Sequence, residues 1–396
     1  MFYEKRGINT MEKSKVYFTN LRCKFNSKGL LDKFRKLLIA AGIENIDFED
    51  KFTAIKIHFG EPGNLAFLRP NYSKVVADIV KENGGKPFLT DCNTLYVGGR
   101  KNAIEHMEAA YLNGYSPFST GCHVIIADGL KGNDDIAVPV NGGEYIKEAK
   151  IGRAIMDADV FIALSHFKGH ENTGFGGALK NIGMGCGSRA GKMDMHSAGK
   201  PFAKLRKCVG CGACVKVCAH GAPTFNEEGK IVIDENKCVG CGRCVGVCPK
   251  DAIVARFDQA NDVLNCKIAE YSKAVVDGRP AFYINLVIDV SPFCDCHMEN
   301  DLPIVPDVGM YASFDPVALD VACVDAVNAQ PAIPGSLLAE HHEHEVCSCG
   351  HGHATCDCDD HEDHFHAVSP ETNWRACIDH AVKIGLGSDQ YEIIEV

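Results

Sequence analysis

Residues 207–253 read KCVGCGACVKVCAHGAPTFNEEGKIVIDENKCVGCGRCVGVCPKDAI and carry eight cysteines in two matching halves. Cys208, Cys211, Cys214 and Cys218 form a CxxCxxCxxxC run, and Cys238, Cys241, Cys244 and Cys248 repeat it 30 positions later, ending in Cys-Pro. No other feature constrains the fold as strongly, because a short segment this rich in thiols must organise around whatever the thiols bind. A CxxCxxC turn aims three thiolates at one cubane cluster, while the fourth cysteine of each run reaches the other cluster. The expected ligand sets are Cys208, Cys211, Cys214 with Cys248, and Cys238, Cys241, Cys244 with Cys218, around two 4Fe-4S clusters. The alternative, a pair of zinc knuckles, prefers four ligands from two separated CxxC pairs and matches the spacing less well. Glycines at 210, 212, 240 and 242 permit the left-handed backbone of such turns and let amides approach the sulfurs.

Over about residues 204–256 this pattern resembles the bacterial-type two-cluster ferredoxins, with Ala219 standing where the second run has Pro249. The chain is far longer than that module. Its 396 residues suffice for two or three domains at roughly 100–200 residues each. A formal charge of -11, from 41 basic and 52 acidic residues, argues against a nucleic-acid partner. The start, MFYEKRGINTMEKSKVYF, has no apolar run after its basic residues, and no later stretch approaches the roughly 18 apolar residues of a membrane helix. The expectation is a cytoplasmic protein with no membrane partner, in which residues 1–11 are an N-terminal extension. In that compartment thiols stay reduced, so 21 cysteines read as metal ligands or reactive groups before disulfides.

Outside the repeat, apolar strand-like runs alternate with helical stretches. AIKIHF (54–59), PFLTD (87–91), HVIIAD (123–128), VFIALS (160–165) and AFYINLVIDV (281–290) are the strands. Helices are expected over YSKVVADIVKENGG, near 101–113, 146–158 and 262–277, and at 315–328 and 373–384, with Asp315-Pro316 as a helix start. Such alternation predicts an α/β domain with a largely parallel layered sheet. That domain is discontinuous in sequence, 12–203 plus 258–396, and the ferredoxin-like α+β module at 204–257 is inserted into it.

In open α/β sheets ligands bind beyond the carboxyl ends of the strands. Polar motifs gather there in this chain: Lys56 and His58 before GEPGN, DCNT at 91–94, SHFKGH with His166, Lys168 and His170, and SPFCDCH with Cys294 and Cys296. Imidazole and thiolate suit zinc, iron or nickel, so His58, His166, His170, Cys294 and Cys296 are candidate ligands of an additional transition metal. A polar pocket without metal is the alternative. The stretch TGFGGALKNIGMGCGSRAGK (173–192) fits neither a phosphate loop nor a well-placed dinucleotide fingerprint. It reads as a flexible glycine-rich loop whose amides, with Lys56, Lys168, Lys180 and Arg189, cradle an anion or other small ligand, or as a loop passing close to a neighbouring element.

The segments KIHFGEPGN, SHFKGHENTGFGGALKNIGMGCGSRAGK, SPFCDCH with IVPDVGMYASFDPVALD, and NWRACIDHAVKIGLGSDQYEIIEV resemble an uncharacterised family of iron-sulfur centre proteins built on the domain of unknown function numbered 362. The resemblance spans nearly the whole chain. It implies a ferredoxin module set in an α/β domain, in prokaryotes that are often anaerobic, and brings no established reaction.

HHEHEVCSCGHGHATCDCDDHEDHFH (341–366) departs from that family pattern and is nearly devoid of apolar side chains, so it reads as an inserted loop. His344, Cys347, Cys349, Cys356 and Cys358 are candidate metal ligands there, although a solvated insert is the plainer alternative. Cys23, Cys122, Cys266, Cys323 and Cys377 stand singly and read as small buried hydrophobes. No nucleophile triad is recognisable and no catalytic residue is assigned. The expected function is electron transfer: single electrons carried through two clusters to or from a ligand or metal in the α/β domain, with an unidentified redox partner protein. The alternatives are metal handling or cofactor maturation through the strand-end pocket and the 341–366 tract, and a binding domain in which the clusters are structural.

Overall fold

The computed structural model describes residues 13–96, 98–196, 200–256, 259–344 and 363–396. The proposed extension at 1–11 and all four cysteines of the 341–366 tract lie outside these residues.

Eight runs of alternating or continuous apolar residues form one sheet: β1 (Ser14–Asn20), β2 (Phe52–Lys56), β3 (Lys86–Asp91), β4 (His123–Ile126), β5 (Val160–His166), β6 (Ala281–Val287), β7 (Gly309–Ser313) and β8 (Tyr391–Glu395). Their spatial order is β8-β1-β7-β6-β5-β2-β3-β4. Only β7 runs against the rest, pairing antiparallel with β1 and β6, while every other neighbouring pair is parallel.

The central strand β5 explains the composition of the core. All seven of its residues are buried, as expected of a parallel strand covered on both faces. Its side chains alternate: Val160, Ile162 and Leu164 join Phe34, Leu37, Val76 and Val80 on one face, whereas Phe161 and Ala163 join Leu179, Ile182, Ile268 and Val317 on the other. The first face is covered by α1 (Leu30–Ala40) and α2 (Pro70–Glu82). The second is covered by α3 (Ala178–Cys186), α4 (Arg189–His196), α5 (Asn261–Val276), α6 (Pro316–Asn328) and α7 (Arg375–Lys383). As expected at an Asp-Pro start, the Asp315 carboxylate caps α6 by accepting from the amides of Val317 and Ala318 at 2.9 and 3.1 Å.

Two expectations are corrected. The stretch 146–158 is not a helix: Glu148–Gly152 is a strand pairing antiparallel with Asp135–Pro139, and only Arg153–Met156 is helical. The glycine-rich stretch 173–192 is not a flexible loop either, since it holds α3 and the start of α4. Its glycines serve close packing. A Cβ on Gly183 would lie 2.2 Å from the Ile268 carbonyl oxygen of α5, and one on Gly191 would lie 2.4 Å from that of Lys150.

The chain leaves the sheet after β5 and returns as its parallel neighbour β6, with Phe161 opposite Ala281. Between them lies the cysteine-rich segment. Phe202–Ala203 pairs antiparallel with Ile253–Val254, so the segment's two ends lie side by side. Within it, Pro223–Phe225 pairs with Ile231–Ile233. Two short helices, Ala213–Val217 and Arg243–Gly246, each follow a left-handed glycine, Gly212 and Gly242.

Candidate metal and ligand site at the strand ends

Because β2, β3, β5 and β6 run parallel, the loops at their carboxyl ends converge, and they enclose a cavity of about 290 Å3. Lys56 ends β2 and His58 follows it, Asp91 ends β3 and Cys92 follows it, Lys168, His170 and Glu171 come from the loop after β5, and Cys294, Cys296 and His297 from the loop after β6. Helix α3 adds Lys180, Asn181, Met184 and Gly185.

The floor is a charge network removed from water. Lys56 Nζ lies 3.0 Å from Asp91 Oδ1 and donates to Asn181 Oδ1 at 2.7 Å. Arg100 donates through Nε to Glu61 at 2.9 Å and through Nη2 to the Tyr96 hydroxyl at 2.5 Å. Burial raises the Asp91 carboxyl, but Lys56, His106 and His58 outweigh it and hold the group well below the ordinary carboxylate range. Burial, aided by Arg100 at 2.9 Å from its Nε2, drives His58 well below the usual imidazole value.

On the opposite wall the donor atoms of His170, Cys294 and Cys296 all lie within 4.8 Å of one another, a group able to hold a metal ion. Glu171, Cys296 and His297 form a second such group, sharing Cys296. A hydrogen bond from Cys296 pulls the Cys294 thiol well below its ordinary value against the effect of burial, with Lys180 and His170 adding to the pull. Lys180 Nζ sits 3.2 Å from Cys294 Sγ. Burial raises Glu171, yet His170 and the hydrogen-bonded His297, 3.0 Å away, bring it to about 2.

Sequence reasoning had grouped five metal donors, and the geometry separates them. His170, Cys294 and Cys296 converge. His58 lines the cavity, but its Nδ1 accepts from the Gly60 amide at 3.1 Å and its Nε2 faces Arg100. His166 lies elsewhere: its Nδ1 meets Asp295 at 2.9 Å and its Nε2 donates to the Ile288 carbonyl at 2.8 Å. Of the four anion-cradle residues, Lys56, Lys168 and Lys180 line the cavity, whereas Arg189 points to the carbonyls of Thr94, Lys101 and Lys131. His344 ends the helix Leu337–His344. Sequence reasoning overlooked Arg100, Tyr96, Glu171 and His196 as cavity residues; Glu171, directly after His170 within SHFKGHE, carried the one usable signal.

The eight cysteines of the repeat line two small chambers. Cys208, Cys211, Cys214 and Cys248 line one, and Cys218, Cys238, Cys241 and Cys244 line the other. Backbone amides point at their sulfurs: Gly210 and Ile231 at Cys208, Ala222 at Cys218, Gly240 at Cys238 and Ala252 at Cys248, at 3.2–3.5 Å. Four thiols around a space with amides directed at sulfur is the donor set a cubane requires, so these residues fit such a group. Val245, next to Cys244, packs against Leu95, which also lines the strand-end cavity. A further cavity of about 360 Å3 runs between them, and Thr94, Leu95 and Tyr96 border both spaces.

Comparison with known proteins gives one family: the model for DUF362, a domain of unknown function, matches residues 53–325. A thylakoid-associated protein of Synechocystis sp. is 30% identical over 131 residues, 32% of this chain and 35% of that protein, so the match spans about a third of the relative. Among solved structures, the lactate racemase apoprotein of Thermoanaerobacterium thermosaccharolyticum aligns over 97% of this chain and 83% of its own at 12% identity, with a TM-score of 0.38. A Thermotoga maritima protein aligns over 74% of this chain and 56% of its own, also at 12% identity, with a TM-score of 0.36. No described helix is long and apolar enough to cross a membrane.

Proposed function

The chain belongs to the DUF362 family, and from that footing we propose that it is an iron-sulfur electron-transfer protein linking two 4Fe-4S clusters to a ligand or metal in the strand-end cavity. The observation that carries this reading is the partition of the eight thiols, three from one half of the repeat with one from the other in each chamber. When bound, clusters of this kind accept and release single electrons at potentials set by charge, burial and hydrogen bonds to sulfur.

The protein's own residues have three tasks. The cysteines hold the clusters, and the amides of Gly210, Ala222, Ile231, Gly240 and Ala252 stabilise negative charge on their sulfurs. Leu95, Met193 and Val245 pack together between the second chamber and the cavity and hold the two in a fixed relation. The cavity residues orient whatever receives or supplies the electron there. An external redox partner protein belongs to the same proposal.

The test is anaerobic isolation of the full chain with assay of iron and acid-labile sulfide, followed by electron paramagnetic resonance after reduction. About eight irons are expected, as two cubanes require. Cys218→Ser should disturb chiefly the cluster held by Cys238, Cys241 and Cys244. Colourless, iron-free protein would refute the reading. Metal handling is the competing reading, favoured by the His170, Cys294 and Cys296 group; removal of residues 345–362, which spares the buried Phe365, separates the two, because loss of metal transfer with intact electron transfer favours handling.

A further inference from the structure

We propose that His170, Cys294 and Cys296 bind one thiophilic divalent metal ion, leaving a coordination position open to the strand-end cavity. Two thiolates and an imidazole are a zinc-type donor set, poorly suited to magnesium or calcium. Ligands held ~2.0–2.3 Å from a tetrahedral ion stand roughly 3.5 Å from each other. Donors already within 4.8 Å of one another therefore need only small side-chain adjustments.

The surrounding residues prepare this geometry. Cys294 and Cys296 flank Asp295, which is turned inward and fully buried. There its carboxylate meets His166 at 2.9 Å and Lys168 at 3.6 Å, which pins the loop and leaves the cysteines on either side directed to the cavity. This gives His166 a use: it positions the loop bearing the ligands. The His170 ring is held by the amides of Asn172 and Thr173, which donate to its Nδ1 at 3.1 and 3.2 Å. With Nδ1 accepting, the ring proton sits on Nε2; binding the ion through Nε2 shifts that proton to Nδ1 as the two amide bonds open, and the thiol protons leave on loading. Lys180, 3.2 Å from Cys294 Sγ, offsets the charge of a dithiolate. Glu171 and His297, bonded to each other at 3.0 Å, stand beside Cys296 and can close the fourth position or leave it to a ligand.

Three protein ligands with one open position is the arrangement of catalytic rather than structural zinc. As the ligand end of an electron-transfer protein the site deepens the proposed function and in that role rests on it, whereas the binding itself rests on the donors alone.

The test uses the full chain, isolated with its clusters under reducing, oxygen-free conditions and titrated with zinc against a chromophoric chelator. Wild type, Cys294→Ala and His170→Gln are compared, so zinc bound by the 341–366 tract cancels in the difference. Cys294→Ala should lose one tight equivalent, and His170→Gln should bind that equivalent at least about tenfold more weakly. Equal stoichiometry and affinity in wild type and Cys294→Ala overturn the proposal, as does a His170→Gln protein that binds as tightly as wild type. If circular dichroism shows Cys294→Ala unfolded, His170→Gln decides alone. Iron and sulfide measured in the same samples separate the two readings: iron-replete protein with no zinc difference sinks only the metal site, and a zinc difference in iron-free protein sinks only the cluster reading.

Discussion

Asp320 sits in α6 beneath the start of α3, where its carboxylate accepts from the amides of Ala178 and Leu179 and from the Asn285 side chain at 2.7–2.9 Å. Burial dominates those bonds and raises the group to about 6. A carboxyl whose folded value exceeds its unfolded value favours folding most when protonated, so its contribution is fully present below about 4 and is lost as pH rises through about 6. The shift corresponds to an effect of order 3 kcal/mol. Asp320→Asn should therefore flatten the pH dependence of the melting temperature between these values; an unchanged profile would refute the assignment. Asp295 behaves oppositely, since it is paired with His166 and Lys168 in a fully buried site. Removing one partner of such a pair costs about 3–5 kcal/mol, a loss expected for Asp295→Asn in urea denaturation. Strand-end position alone led to His170, Cys294 and Cys296. Nothing local could show that His166 turns away, because its partners, Asp295 and Ile288, are supplied by a distant part of the chain.

Among elements, five of the sheet's eight strands were legible because burial on both faces imposes continuous apolar runs, as in β5, whereas β1, β7 and β8 were not expected and take their place through pairing with distant segments. Glycine density misled at 173–192. There it marks two helices pressed against neighbouring backbone, and helix propensity gives way to the gain from close packing. Gly183→Ala should accordingly separate α3 from α5 and cost roughly 1–3 kcal/mol by overpacking. Gly29, the N-cap of α1 with open space where a Cβ would go, serves as the control, and Gly29→Ala should cost no more than the roughly 1 kcal/mol of a poorer cap. Equal effects at both positions would remove the packing explanation. At 146–158 the helical pattern lost to strand pairing: Glu148–Gly152 acquires an antiparallel partner in Asp135–Pro139 that propensity cannot anticipate.

In the whole molecule, the cysteine-rich segment is joined to the sheet domain through Arg189. Arg189 is 2% exposed and its guanidinium donates to three carbonyls, those of Thr94, Lys101 and Lys131. Its side chain also lies against Gly242 and Gly246, beside Cys244. Arg189→Ala would strip those carbonyls of their donor, a loss of about 1–3 kcal/mol. Limited proteolysis should then cut within 204–256 at lower protease doses than in wild type, with the sheet domain still resistant. By itself the sequence determined the local chemistry: eight thiols in two interlocking sets, apolar strands that must be covered on both faces, and polar motifs at their carboxyl ends. All of these depend on spacing along the chain. Which donors face one another only the tertiary structure decided, because β5 and β6 come from opposite sides of the cysteine-rich segment, and their register brings His170 to Cys294 and Cys296 while turning His166 onto Asp295.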